Sequence, residues 1–216
     1  KIDRLARITV GNSPADIANI VRESALIAVR NKRPIITMKD IDEARERIAL
    51  GIKRRIKISE KEKWQIAYHE AGHAVVTYLL APSKDVFKVT IIPRGYTGGA
   101  TWIPEREEIL VENQQQLLTE IKISLGSYAA EKIKLGYTTA GVSGDFANAL
   151  YIAHNMVWRW GMGKSGFIGD FHALDFYRLT GWGSTPISEE TKRKLDEDLQ
   201  EIMQSCLKEV IELLKK

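Results

Sequence analysis

His69-Glu70-Ala71-Gly72-His73 places two imidazoles four residues apart with a carboxylate beside the first. On a helix, positions four apart stack on one face, so both rings converge on one point. Two neutral imidazoles make half of a Zn²⁺ site. In an H-E-x-x-H pattern the glutamate is not a ligand; it takes the proton of a water that the metal activates. The chain has 4 histidines, two of them in this pentad. The competing reading is a helix with two surface histidines. Against it, Ala71 and Gly72 between them suit a crowded, buried helix face.

A catalytic zinc needs a third protein ligand and an open position. The candidates are His154, His172, Glu131 and Asp145. Asp145 opens a segment of helical pattern that runs to Trp160, and His154 is about half a turn out of phase with it. A ligand at the helix start is therefore Asp145. The small residues of Thr139 to Gly144 let that end approach a metal closely. Glu131 sits between apolar positions of the preceding helix, as a ligand or as an acid that orients an imidazole. Spacing alone leaves Asp145 and Glu131 both open.

Elements that must carry these residues are legible. Ser59 and Glu62 form a capping box, Ile66, Ala67, Ala71, Ala74, Val75 and Leu79 follow near helical spacing, and Pro82 ends the run. Phe87 to Ile92 and Ala100 to Ile103 are strand candidates joined by a turn at Gly95, Gly98 and Gly99. The hairpin is either a structural flap or an edge that pairs with an extended peptide. Asn113 to Leu135 predicts a long helix with Leu117, Leu118, Ile121, Leu125, Ala129 and Ile133 inward and Gly136 at its C-cap. Gly161 to Gly183 has no period and predicts an irregular segment. Ser188 caps a last amphipathic helix to about Leu214.

Upstream, residues 1–50 predict a small helical unit. Asp3 to Thr9 is a short helix, Ser13-Pro14-Ala15-Asp16 starts a second with Ile17, Ile20, Val21, Ala25 and Ala28 inward, and Thr37 starts a third with Ile41, Ala44 and Ile48 inward, ended by Gly51. The basic stretch Gly51 to Lys57 marks a boundary, giving domains 1–52 and 53–216. The fold class is mainly α with a small β-hairpin or sheet.

Composition limits the alternatives. The chain has 216 residues, 32 basic and 28 acidic side chains and a net charge of +4, with both signs interspersed. That balance does not point to nucleic acid. One cysteine, Cys206, excludes an internal disulfide and fits a reducing compartment. The longest apolar run, Ala74 to Ala81, is far short of the ~20 residues that span a bilayer. Gly163-Lys164-Ser165 lacks the upstream glycine of a phosphate loop, because Trp158 stands there. The sequence opens inside a helical pattern without an initiator Met, and is read as a fragment of a longer protein.

Several motifs together resemble one family. Ala15-Asp16-Ile17-Ala18-Asn19-Ile20-Val21 with Glu23-Ser24-Ala25, and Ile35-Ile36-Thr37-Met38-Lys39-Asp40, look like the lid of an AAA+ ATPase domain. Ser59 to Lys63 leading into Ala67-Tyr68-His69-Glu70-Ala71-Gly72-His73-Ala74 is the strongest match. Lys88 to Gly95, Ala129-Ala130-Glu131, Thr138-Thr139, Asp145, Met156-Val157, Trp160-Gly161-Met162 and Ile187 to Thr191 continue it. The chain resembles the C-terminal part of the membrane-anchored AAA+ zinc metalloproteases, the FtsH family. It departs from the pattern in Pro14, in Tyr128, and in Ala140-Gly141-Val142-Ser143-Gly144 before Asp145, a run one residue longer than usual and without its Asn.

The resemblance implies that His69, His73 and Asp145 hold Zn²⁺, that Glu70 is the catalytic base, and that Glu131 stands near the site. It implies a helical lid followed by a mostly helical zinc peptidase domain. It further implies a zinc-dependent endopeptidase, the proteolytic part of an ATP-dependent protease degrading unfolded or membrane proteins. The expected partners are polypeptide substrates and identical subunits in a homo-hexamer. ATP and Mg²⁺ belong to the full-length protein, which is expected to be membrane-anchored with this part on the cytoplasmic or organelle-matrix side and soluble as a fragment. The alternative is a degenerate protease that serves as a scaffold or assembly module.

Overall fold

The computed structural model describes residues 2–54, 56–94, 98–107, 109–166 and 188–216. Among them are seven α-helices and one two-stranded antiparallel sheet. The helices are α1 (Ile2–Ile8), α2 (Pro14–Arg30), α3 (Met38–Leu50), α4 (Glu60–Leu80), α5 (Gln114–Leu135), α6 (Ser143–Trp158) and α7 (Glu189–Leu214); the strands are β1 (Lys88–Thr90) and β2 (Ala100–Trp102). The mainly α class with a small hairpin holds. The chain packs as two compact units, Lys1–Glu70 with Ser83–Glu108, and Ala71–Pro82 with Ile109–Lys216; α4 contributes to both. No described helix is long and apolar enough to cross a membrane.

In the first unit, α2 starts after Ser13 as expected, and Asp16 makes the cap a capping box: Ser13 N–H donates to Asp16 (2.9 Å), and Asp16 N–H donates to the Ser13 hydroxyl (3.2 Å). Its buried residues are Ile20, Ser24, Ile27 and Ala28, whereas Ile17 and Val21, expected inward, are exposed. The face is rotated because Ser24 can be buried: its hydroxyl donates to the Ile20 carbonyl at 2.6 Å, so no polar group is left unpaired. In α3, Ala44 is buried as expected but Ile48 is exposed, and Arg45 and Glu46 are buried instead. The hairpin is the reason. The Arg45 guanidinium lies 4.1 Å from the Trp102 ring centroid and 5.3 Å from that of Phe87. The Glu46 carboxylate accepts from Arg94 and Lys88.

Register in the hairpin is Lys88 with Trp102, Val89 with Thr101 and Thr90 with Ala100. Both strands are shorter than expected, although the Phe87 N–H still reaches the Trp102 carbonyl at 3.0 Å. Gly95, assigned to the turn, lies outside the described residues.

In the second unit, α5, α6 and α7 pack around Leu117, Ile121, Leu125, Ala149, Ala153, Met156 and Cys206. Leu117, Ile121, Leu125 and Ala129 of α5 are buried as expected, Leu118 and Ile133 only in part, and Leu195, Cys206 and Val210 are buried along the apolar stripe of α7. Asn113 caps α5, with Gln116 completing a capping box, and Gly136 ends it at φ 79°, where only glycine is free of strain. A 3₁₀ turn (Ala140–Val142) runs directly into α6, which starts at Ser143 rather than Asp145, so Asp145 lies inside the first turn. Of the irregular segment expected over residues 161–183, residues 167–183 lie outside the described residues.

Candidate metal centre

Helix α4 carries His69 and His73 one turn apart, on a start fixed by Ser59 and Glu62: Glu62 N–H donates to the Ser59 hydroxyl at 3.3 Å, and Ser59 N–H donates to the Glu62 carboxylate at 3.0 Å. The buried positions of its later turns are Gly72, Val76 and Thr77; Val75 and Leu79, expected inward, are exposed. That rotation follows from a close approach to α5. A Cβ on Gly72 would sit 2.2 Å from the Gly126 carbonyl oxygen, and one on Gly126 would sit 2.7 Å from the Gly72 carbonyl oxygen. Both positions must be glycine for the backbones to meet in this way.

The close approach aligns His73. Its Nδ1 lies 2.8 Å from the carbonyl oxygen of Ile123 on α5. A carbonyl only accepts, so Nδ1 carries the proton and the Nε2 lone pair faces away from α5. Nε2 lies 3.2 Å from Oδ2 of Asp145. The Ser127 hydroxyl donates to the same Oδ2 at 2.7 Å. One ligand atom from each of His69, His73 and Asp145 falls within 4.8 Å of the others. An imidazole nitrogen and a carboxylate oxygen thus meet at 3.2 Å. Two imidazoles and one carboxylate are a donor set that suits Zn²⁺ and leaves a fourth position open. The residues present therefore fit the metal.

The remaining candidates lie elsewhere. Glu131 is not in the cluster of three. It is 1% exposed and accepts from the Thr139 N–H (2.5 Å) and hydroxyl (3.1 Å), so it holds the start of the loop that leads to Asp145. His154 is exposed and stacks on Trp158, ring centroids 5.3 Å apart. His172 lies outside the described residues. Glu70 is 6% exposed, and its Oε2 accepts from the Thr101 hydroxyl at 2.7 Å.

Ser127, Gly126, the Ile123 carbonyl and Thr101 escaped sequence reasoning. Gly126 alone carried a signal: a glycine inside a strong helical pattern costs ~1 kcal/mol against alanine and marks a close approach. A hydroxyl on a mixed helix face and a backbone carbonyl carry none.

Residues 56–216 match the family described as peptidase family M41, and residues 1–43 match the family described as the AAA+ lid domain. The chain is 43% identical over 216 residues to the ATP-dependent zinc metalloprotease FtsH of Borreliella burgdorferi (strain ZS7), covering 98% of this chain and 34% of that protein. It is 38% identical over 214 residues to the protein of the same name from Veillonella parvula (97% and 33% covered). It is 37% identical over 228 residues to that from Thermotoga maritima (100% and 36%). The chain thus spans about a third of the length of these curated relatives.

Proposed function

The chain belongs to peptidase family M41, and on that premise we propose that it is a zinc-dependent endopeptidase, the proteolytic part of a longer ATP-dependent protease. The observation that carries this reading is the meeting of His69, His73 and Asp145 within 4.8 Å, with Glu70 next to His69 on the same helix. Residues 1–52 serve as the lid of the ATPase domain and 53–216 as the peptidase domain. Polypeptides are the substrates. In the full-length protein the assembly is a homo-hexamer anchored in a membrane, with this part on the cytoplasmic or matrix side and ATP bound by segments outside this chain. The names of the relatives support the ATP dependence and the zinc.

His69 and His73 through their imidazoles, and Asp145 through a carboxylate oxygen, would hold the metal. Bound Zn²⁺ supplies Lewis acidity toward water and toward the scissile carbonyl. The Glu70 carboxylate accepts the proton of the attacking water and delivers it to the departing amine as the peptide bond breaks. Ile123 and Ser127 keep His73 and Asp145 oriented through the step. Glu131 keeps the loop before Asp145 from drifting.

Metal content and casein cleavage test the reading, with wild type beside Asp145→Asn, Glu131→Gln and Glu70→Gln. Zinc is expected at about one per chain, lost with Asp145→Asn and kept with Glu131→Gln. Glu70→Gln is expected to keep zinc and lose cleavage. Full zinc in Asp145→Asn would remove Asp145 from the ligand set. Zinc bound by the wild type without cleavage would favour the scaffold alternative.

A further inference from the structure

We propose that Thr101 is the positioning residue of the base, holding one oxygen of the Glu70 carboxylate so that the other is the one that takes the proton. The inference rests on the reading of Glu70 as proton acceptor and adds a residue to it.

Gly99 and Thr101 are two residues apart in an extended chain, so they present to the same face. That face meets α4. A Cβ on Gly99 would sit 2.7 Å from Cγ2 of Ile66 and 2.8 Å from Oε1 of Glu70. The Thr101 hydroxyl oxygen lies 2.7 Å from Oε2 of Glu70 and 3.0 Å from the Glu70 backbone carbonyl. Both of those oxygens are acceptors, and the hydroxyl has one proton to give. The shorter distance and the negative charge assign it to Oε2.

The two carboxylate oxygens are thereby made different. Oε2 is occupied by a donor. Oε1 lies beside Gly99, where an added Cβ would come within 2.8 Å of it. A glutamate side chain has several rotatable bonds, and a proton acceptor must be held within about 0.5 Å of its working position. One hydroxyl on a rigid strand does this.

Rigidity of the strand is visible on its other face. Trp102 is gripped edge-on by Phe87, centroids 5.6 Å apart, and covered by Arg45 at 4.1 Å. Lys88 and Arg94 of the same hairpin are tied to the buried Glu46. Thr101 is therefore a fixed point from which Glu70 is aimed. A merely structural role would have the hydroxyl serve only the backbone carbonyl at 3.0 Å.

The test uses the zinc-loaded full chain, a quenched fluorescent peptide, and the variants Thr101→Val and Thr101→Ser. Thr101→Val keeps the shape and removes the donor. It is expected to lower kcat by about tenfold to a hundredfold, the range for a hydrogen bond to a charged group, with KM within about threefold of wild type. Zinc content and melting temperature are expected to stay at wild-type values, and Thr101→Ser to recover kcat to within about threefold. A crystal structure of Thr101→Val is expected to show the Glu70 carboxylate rotated from its wild-type position. Wild-type kcat in Thr101→Val, a loss of kcat that follows a loss of zinc or of melting temperature, or failure of Thr101→Ser to recover would each overturn the proposal. If the zinc-loaded wild type itself does not cleave, the endopeptidase reading falls and this one with it; if it cleaves and Thr101→Val cleaves as fast, only Thr101 falls.

Discussion

Gly72→Ala sets two effects of known sign against each other. In a helix interior the change gains ~1 kcal/mol of propensity. Here the new Cβ would meet the Gly126 carbonyl oxygen at 2.2 Å, its carbon at 2.6 Å and the Ala130 Cβ at 2.9 Å. Ordinary contact begins near 3.4 Å, so α4 and α5 must separate locally by more than 1 Å. The obstacle is helix backbone, which cannot swing aside as a side chain would. Overpacking of this kind costs ~1–3 kcal/mol. The same separation takes the 2.8 Å contact between His73 and the Ile123 carbonyl beyond hydrogen-bonding distance. Gly72→Ala is therefore expected to be less stable by roughly 1–2 kcal/mol and to bind zinc at least tenfold more weakly. Gly144→Ala is the control: it lies in α6, and a Cβ there meets nothing within 4 Å. That variant is expected to gain about 0.5–1 kcal/mol and to keep its zinc. Urea denaturation gives the stabilities, and competition with a fluorescent chelator gives the zinc affinities. A Gly72→Ala protein as stable as wild type with undiminished zinc affinity would refute the close-approach argument.

The buried Glu46, partnered by Arg94 and Lys88, makes Glu46→Gln costly: the change removes the negative charge that both cations share, and the loss is expected at ~3–5 kcal/mol in urea denaturation. Asp40 accepts from Arg33 and from Thr37, which hold its carboxyl well below the usual carboxylate range. Its folded pKa is depressed, so its contribution is present above the unfolded pKa near 4 and is lost as pH falls through the folded value. Melting temperature should therefore drop on acidification below about pH 4 in wild type and change less in Asp40→Asn, already destabilised at neutral pH. Burial pushes the Cys206 thiol up to about 11. Native protein at pH 7.5 is expected to resist iodoacetamide over hours, and to react once unfolded, by mass spectrometry.

Periodic and terminal signals were read well because each is local. The caps at Ser13 and Ser188, the stop at Gly136 and the apolar stripes of α5 and α7 depend on neighbours within a few residues. The errors came from long-range contacts. Arg45 and Glu46 carry no inward signal in the sequence, yet aromatic rings and basic side chains of the hairpin cover them. Val75 and Leu79 were placed inward on α4, but a glycine contact with α5 decides which face is buried, and hydrophobicity does not report it. At the site, His69, Glu70 and His73 were legible from spacing. Asp145 was reached by helix phase and family resemblance, while Glu131 stayed open until its bonds to Thr139 were seen.

One face of α5 ties these observations together. Ile123, Ser127 and Glu131 are each four residues apart, so they stack along a single stripe. Their three acceptors and donors serve three different targets: the Ile123 carbonyl holds His73, the Ser127 hydroxyl holds Asp145, and the Glu131 carboxylate holds Thr139. Gly126 and Ala130, beside the same stripe, are small enough to admit α4 at Gly72. A helix is stiff over two turns, so the spacing of its residues sets the spacing of what they hold. The 3₁₀ turn Ala140–Val142 and the start of α6 lie between two anchors on α5, Thr139 held by Glu131 and Asp145 held by Ser127. The position of Asp145 is set by those two anchors and not by the number of residues between them.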